Sequence, residues 1–319
     1  MNYMPPIIAF LIVVSVITII LRSKLGNAVQ DVPNERSLHS KPVPRTGGVA
    51  LMAGVLSSWM VLWPSMVWWI VVPTVLLFAV SFMDDLHNLS VKERLLAHMI
   101  AATVLVIGAN IYDQQGLWIS LILLFAVVWM INLYNFMDGS DGLAGGMTLF
   151  GFANYGIAAL LAHDESFAMM NLAISAAALG FLFFNFSPAK IFMGDAGSIP
   201  LGFLVAAMGL WGWQRGDWSP LFPVLVFLPF IADATVTLAK RTLRGMKITE
   251  AHRDHFYQRA IQSGMSHRSV AYVEYVFMAA IGMSAQIGLQ QGMMQSYLCV
   301  CVAFCLVAMV WLDVRWGKR

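Results

Sequence analysis

The sequence predicts an all-α, polytopic integral membrane protein with about eleven transmembrane helices. Three observations predict it. Of 319 residues, 59% are apolar and only 11% charged, against about 25% charged in an average soluble domain. Apolar runs of roughly the 20 residues that a spanning helix requires recur along the whole chain. Lys and Arg fall almost wholly in alternate connections between those runs, the asymmetry that orients membrane helices.

In order, the runs cover about 4–21, 47–63, 67–83, 95–111, 117–134, 146–162, 167–186, 199–214, 220–239, 270–289 and 296–312. The first lacks a basic stretch before it and a small-residue cleavage site after it, so it reads as a retained span, not a signal peptide. The runs at 47–63, 67–83 and 199–214 are short. They fit a bilayer if Trp59, Trp63, Trp68, Trp69, Trp211, Trp213 and Trp218 sit in the interface. Cys299, Cys301 and Cys305 fall inside the last run and read as packing residues, not as a disulfide or metal site.

Eleven spans put the termini on opposite sides. One set of connections carries all 19 Lys and Arg except Arg215. That set is therefore cytoplasmic, with the N-terminus periplasmic and the C-terminus inside. The chain reads as one transmembrane domain, 1–319, with cytoplasmic segments near 22–46, 83–94, 135–146, 187–198 and 240–269. The net charge of +2 gives no case for a nucleic-acid partner. No internal repeat of broken helices marks an inverted-repeat transporter.

The unusual residues collect in those segments. The first holds Arg36, His39, Lys41 and Arg45 among three prolines and two glycines, a loop with cations that suit phosphates or simply obey the charge rule. The second closes a span with Asp84-Asp85, which at a hydrocarbon border calls for a partner or a task. In the third, Asn132, Asn135 and Asp138 recur every three residues, one stripe on a helix. Asp141 and a glycine run follow, and oxygen ligands of this kind suit Mg²⁺ better than a Ca²⁺ loop. The fourth, Phe192-Met-Gly-Asp195-Ala-Gly-Ser198, sets Asp195 at the start of a span. Asp195 can reach a cation there, and the N–H groups of that helix start could meet a phosphate. The fifth places His252, Arg253, His255 and Arg259 for a diphosphate, with Phe256 or Tyr257 near a ring. Zinc is disfavoured there for want of cysteines. Asp233 could join the acidic group. His98 reads as a packed polar residue, and His163 and His267 as surface residues. The spans themselves read as nearly free of charge.

Taken in order from Asp31 to Arg259, these segments resemble the polyprenyl-phosphate N-acetylhexosamine-1-phosphate transferases, glycosyltransferase family 4. The motifs that carry the resemblance are Asp84-Asp85, Asn132 through Gly142, and Gly194-Asp195-Ala-Gly-Ser198. It implies Mg²⁺-dependent transfer of N-acetylhexosamine 1-phosphate from a UDP-sugar to undecaprenyl phosphate, with release of UMP, at the cytoplasmic face of a bacterial inner membrane. It implies Asp195 and Asn135 as metal residues, and Asp84, Asp85, Asp138 and Asp141 as catalytic residues. Arg36, His39, Arg45, Asn132, His252, Arg253, His255 and Arg259 are implied substrate contacts, and a homodimer is admitted. Where many members carry His-x-His-His, this chain has His252-Arg-Asp-His255. That variant resembles the branch initiating O-antigen or related surface glycans, and it leaves the sugar open. A secondary transporter with a cation site is the alternative from another class.

Overall fold

The computed structural model describes residues 3–23, 30–31, 42–247 and 252–316. Arg36, His39 and Lys41 lie outside the described residues. The chain is all-α apart from one two-residue antiparallel pair, β1 (Gln30–Asp31) with β2 (Val43–Pro44).

Every predicted run is helical. The helices are α1 (Met4–Arg22), α2 (Gly47–Met60), α3 (Trp68–His87), α4 (Val91–Gly108), α5 (Ile111–Phe136), α6 (Leu143–Leu161), α7 (Glu165–Asn185) and α8 (Asp195–Arg215). The ninth run breaks at Phe227, between Pro223 and Pro229, into α9 (Leu221–Val226) and α10 (Leu228–Leu243). After an unforeseen short helix, α11 (Phe256–Gln262), come α12 (His267–Gln290) and α13 (Met294–Trp316). Among the described residues eight helices, α1, α3, α5, α6, α7, α8, α12 and α13, are each long and apolar enough to cross a membrane. The protein is a multi-pass membrane protein. The apolar helix α2 has only 14 residues. The first turn of α4 is charged and closed by a capping box, in which Glu93 N–H donates to Ser90 Oγ and Ser90 N–H to Glu93 Oε2. Gly116, at φ 81°, breaks α5 where the predicted run begins.

Helix α8 is buried along nearly its whole length and packs against α2, α3 and α5, while α1, α6 and α7 pack together beside it. Helix α13 keeps most of its surface exposed, including Val300, Phe304, Val307 and Trp311. One expectation needs correction. Trp59, Trp69, Trp211 and Trp218 are buried rather than interfacial, because the bundle uses them as packing: the Trp59 indole donates to Met170 O and the Trp218 indole to Gly209 O. The spans are nearly free of charge, as expected, and Glu274 is an exception. Glu274 lies seven residues into α12, roughly 10 Å from its start. It shares a stripe with buried Val270, Ala271 and Met278, and Asp233 is its charged neighbour.

Candidate active site

The site is built around the first turn of α8. Its N-terminal N–H groups lack intrahelical partners, and Asp85, at the last turn of α3, supplies one. The Asp85 carboxylate accepts from Asp195 N–H at 3.1 Å and from Ala196 N–H at 2.9 Å. It also pairs with Arg45, and its side chain is only 2% exposed. A carboxylate at a helix N-terminus is stabilising by about 1 kcal/mol. Those N–H groups are therefore taken, which corrects the expectation that they meet a phosphate. The backbone also packs closely here. Gly194 has φ 71°, and a Cβ on it would lie 2.6 Å from Arg45 O and 2.9 Å from Asp85 Oδ2. Gly47 and Gly48 N–H donate to Phe192 O and Met193 O, at 2.9 and 2.7 Å, and so draw the first segment onto the fourth.

Asp195 is the meeting point. Its Oδ1 accepts from Asn135 Nδ2 at 3.0 Å, and the same amide donates to Ser198 Oγ at 3.0 Å. Arg45 stands 3.7 Å from one Asp195 oxygen and Arg94 3.7 Å from the other. Arg94 also pairs with Asp84 at 3.3 Å, and Leu89 N–H donates to Asp84 at 2.6 Å. Asp195 is a charged neighbour of Asp84. Burial disfavours the Arg45 charge, but Asp85 and Asp195 outweigh it and hold its pKa above the ordinary value.

Asp138 differs from its neighbours. It follows the end of α5, and its carboxylate makes no hydrogen bond or ion pair among the described residues. Burial and then the Asp195 charge push its carboxyl well above the usual range, with Arg45 opposing. Asp141 is engaged instead: it accepts from Ala189 N–H at 3.1 Å and faces His267 Nδ1 at 4.0 Å. His267, also bonded to Ser140 Oγ at 2.9 Å, is half-buried rather than a free surface residue. Asn132 donates to Val128 O at 2.7 Å and meets His98 Nδ1 at 3.3 Å. His98 is thus the packed polar residue expected, and the stripe of three sends Asn132 and Asn135 to different partners.

The fifth segment docks against the end of α5. Asp233 is not a member of the acidic group; it caps α11. Its oxygens accept from Phe256 N–H at 2.9 Å, Tyr257 N–H at 3.2 Å and Thr237 Oγ1 at 3.1 Å, and face His255 Nδ1 at 3.2 Å. That contact fixes the imidazole and leaves Nε2 for other work. The His252 ring lies 5.0 Å from that of His255. Burial, then His255 and Arg241, lower the His252 pKa to about 4. Arg253 makes no side-chain hydrogen bond or ion pair among the described residues. Arg259 is held by Asp313 at 2.5 Å and lies over the Trp316 ring. Phe256 and Tyr257 are buried, which corrects their placement near a substrate ring. Phe256 lies under Lys240 and Arg259, and the Tyr257 hydroxyl donates to Phe136 O at 3.1 Å.

The donor set fits a hard divalent cation. If ionised, the carboxylates of Asp84, Asp85, Asp138 and Asp195 outnumber the guanidinium groups of Arg45 and Arg94 by the charge of one such ion. Asp138 and the side-chain carbonyl of Asn135 are oxygen atoms without a partner among the described residues. No three His, Cys, Asp or Glu among the described residues form a ready-made cage. A Mg²⁺ ion here would have to take its remaining ligands from waters and substrate phosphates.

Sequence reasoning missed Arg94, Ser198 and Asn185. Arg94 counted only as a loop cation. Asn185 accepts from Gly142 N–H and donates to Ile191 O, both at 2.9 Å, and so ties the third segment to the fourth. An Asn closing an apolar span before Pro188 was the available signal.

The family model described as glycosyl transferase family 4 matches residues 67–212. The chain is 30% identical to a probable undecaprenyl-phosphate N-acetylglucosaminyl 1-phosphate transferase of Bacillus subtilis, over 88% of this chain and 82% of that protein. It is 29% identical to a decaprenyl-phosphate N-acetylglucosaminephosphotransferase of Mycobacterium tuberculosis, over 83% and 76%. It is 30% identical to an undecaprenyl-phosphate alpha-N-acetylglucosaminyl 1-phosphate transferase of Salmonella typhi, over 79% and 74%.

Proposed function

Since the chain belongs to glycosyl transferase family 4 and is a phosphoglycosyl transferase, we propose that it moves an N-acetylhexosamine 1-phosphate from a UDP-sugar to undecaprenyl phosphate, releasing UMP. The reaction sits on the cytoplasmic face of the inner membrane and initiates O-antigen or a related surface glycan. The observation that carries the reading is Asp195, bonded to Asn135 and flanked by Arg45 and Arg94, with the partnerless Asp138 carboxylate within reach of its charge. N-acetylglucosamine, which the names of the relatives carry, is the first sugar to test.

In the reaction an oxygen of the lipid phosphate attacks the β-phosphorus, and the bond from that phosphorus to the bridging oxygen breaks, leaving UMP. Phosphoryl transfer asks a protein chiefly for position and charge neutralisation. Asp195, Asp138 and Asn135 would hold Mg²⁺, whose bound charge stabilises the leaving oxygen. Arg45 and Arg94 supply fixed positive charge beside that position, and Arg253 offers an uncommitted guanidinium. Asp84, bonded to Arg94 and a charged neighbour of Asp195, orients the centre. It is needed little as a base, because a phosphate monoester with a second pKa near 6 is largely dianionic at neutral pH. An apolar cleft between α5, α8, α9 and α10, lined by Leu123, Met130, Leu210, Trp213, Pro223 and Ile231, supports lateral access for an isoprenoid. Met130 precedes Asn135 by five residues, roughly 8 Å along α5.

The test is UMP release from purified protein with Mg²⁺, undecaprenyl phosphate and a panel of UDP-N-acetylhexosamines. At least one donor supports release, EDTA abolishes it, and Asp195→Asn and Asp138→Asn lower it by 100-fold or more (about 3 kcal/mol). No release with any donor would favour a transporter, which needs ionisable residues within spans such as Glu274.

A further inference from the structure

We propose that Tyr257 is a positioning residue whose hydroxyl sets the backbone between Asn135 and Asp138, so that docking of α11 and ordering of the acidic centre are one event. The inference rests on the function proposed above and adds to it a physical link between the basic segment and the acidic one.

Tyr257 is 1% exposed, and each part of it is committed. Its N–H donates to Asp233 at the start of α11. Its ring stacks on that of His255, with centroids 5.9 Å apart and planes at 18°. Its hydroxyl donates to Phe136 O at 3.1 Å. Phe136 is the last residue of α5, where carbonyls lose their intrahelical partners. Asn135, bonded to Asp195, is the residue before it, and Asp138 lies two residues after. The hydroxyl also packs against the residue beyond Asp138: a Cβ on Gly139 would lie 2.1 Å from it, so only glycine fits.

Among the described residues the Tyr257 bond is the one hydrogen bond from the fifth segment to the turn 135–138; the His255 ring lies 6.4 Å from that of Phe136, and a Cβ on Gly139 would lie 3.5 Å from the Gln258 amide. The Asp138 carboxylate has no partner to hold it among the described residues, so its place depends on its backbone. That backbone is pinned by Asp138 N–H to Asn135 O, Met137 N–H to Leu133 O, and the Tyr257 hydroxyl. Helix α11 is itself fastened at both ends, by Asp233 from α10 and by Asp313 from α13 through Arg259. A displacement of α11 therefore moves His255 and Asp138 together.

Tyr257→Phe keeps the ring and removes the bond, and Gly139→Ala drives a methyl into the hydroxyl. The full-length protein in nanodiscs is examined by hydrogen–deuterium exchange over 136–142 and by Mn²⁺ binding followed by electron paramagnetic resonance. Both variants exchange faster over 136–142, with the rest of α5 and α6 unchanged, and bind Mn²⁺ about fivefold more weakly, the worth of one neutral hydrogen bond. The double variant partly recovers from the Gly139→Ala defect. Wild-type exchange over 136–142 in both variants would overturn the inference. So would faster exchange with unchanged Mn²⁺ affinity, or a uniform rise in exchange across the bundle, which marks a merely structural role. Faster local exchange in a protein that neither binds Mn²⁺ nor releases UMP would instead sink the function while leaving the backbone link standing.

Discussion

At the scale of single residues, the carboxylates of the site separate by what already holds them. Asp85 is spent on the α8 N-terminus and Arg45, so Asp85→Asn removes a charged cap and leaves Arg45 only the more distant Asp195. We expect a loss on the order of 3 kcal/mol in stability, together with activity. Asp138 makes no side-chain hydrogen bond or ion pair among the described residues, so Asp138→Asn folds with an unfolding temperature equal to or above wild type and still loses activity. Thermal unfolding in detergent beside UMP release separates the two.

His252 gives a pH signature. Its pKa is about 4 when folded against an ordinary 6.5. Between those values the unfolded chain binds more protons, so its contribution to stability is complete above about pH 6.5 and lost as pH falls toward 4. Asp217, pushed up to about 6 by burial and Asp164, acts with the opposite sign: its contribution is lost as pH rises from about 4 through 6. From pH 7 to 5, His252→Gln removes a fall in unfolding temperature and Asp217→Asn removes a rise. A His252→Gln profile parallel to wild type would contradict the buried, neutral imidazole.

At the scale of elements, the site depends on backbone contacts that only small residues allow. A Cβ on Gly48 would lie 2.2 Å from Gly197 N and 2.5 Å from its Cα. Backbone cannot move aside as a flexible side chain can, so Gly48→Ala separates α2 from α8. It costs about 1–3 kcal/mol and pulls Arg45 from Asp85 and Asp195, visible as lowered unfolding temperature and lost UMP release together. The helices were legible from apolar run length, because hydrocarbon permits few other backbones. The run 117–134 even began where Gly116 breaks α5. Helix α11 was not legible: its seven residues carry no long period, and its stability comes from Asp233 and Asp313, far away in sequence. The capping role of Asp85 was hidden for the same reason, since its partners are 110 and 111 residues distant. The resemblance named Asn135 and Asp195 together as metal residues, whereas their hydrogen bond and the partnerless state of Asp138 among the described residues could come only from coordinates.

For the whole molecule, the acidic centre joins the ends of α3, α5 and α8 at one side of the bundle, while the Arg215–Asp164 pair joins the opposite ends of α7 and α8. We propose from the Lys and Arg asymmetry that the first side is cytoplasmic. In a variant freed of Cys299, Cys301 and Cys305, His163→Cys reacts with an impermeant maleimide in intact spheroplasts, and Arg244→Cys reacts only after permeabilisation. The reverse pattern would overturn the orientation.

What the centre does is read most directly by the fate of two phosphorus atoms. UDP-N-acetylhexosamine labelled with ³²P at the β-phosphate, and in a parallel reaction at the α-phosphate, is given to the wild-type protein with undecaprenyl phosphate and Mg²⁺. Sugar-1-phosphate transfer carries the β label into the lipid and leaves the α label in UMP, and both movements stop in Asp195→Asn. Both labels remaining together in UDP while sugar enters the lipid, or β label reaching the lipid at the wild-type rate in Asp195→Asn, would contradict the mechanism proposed for this site.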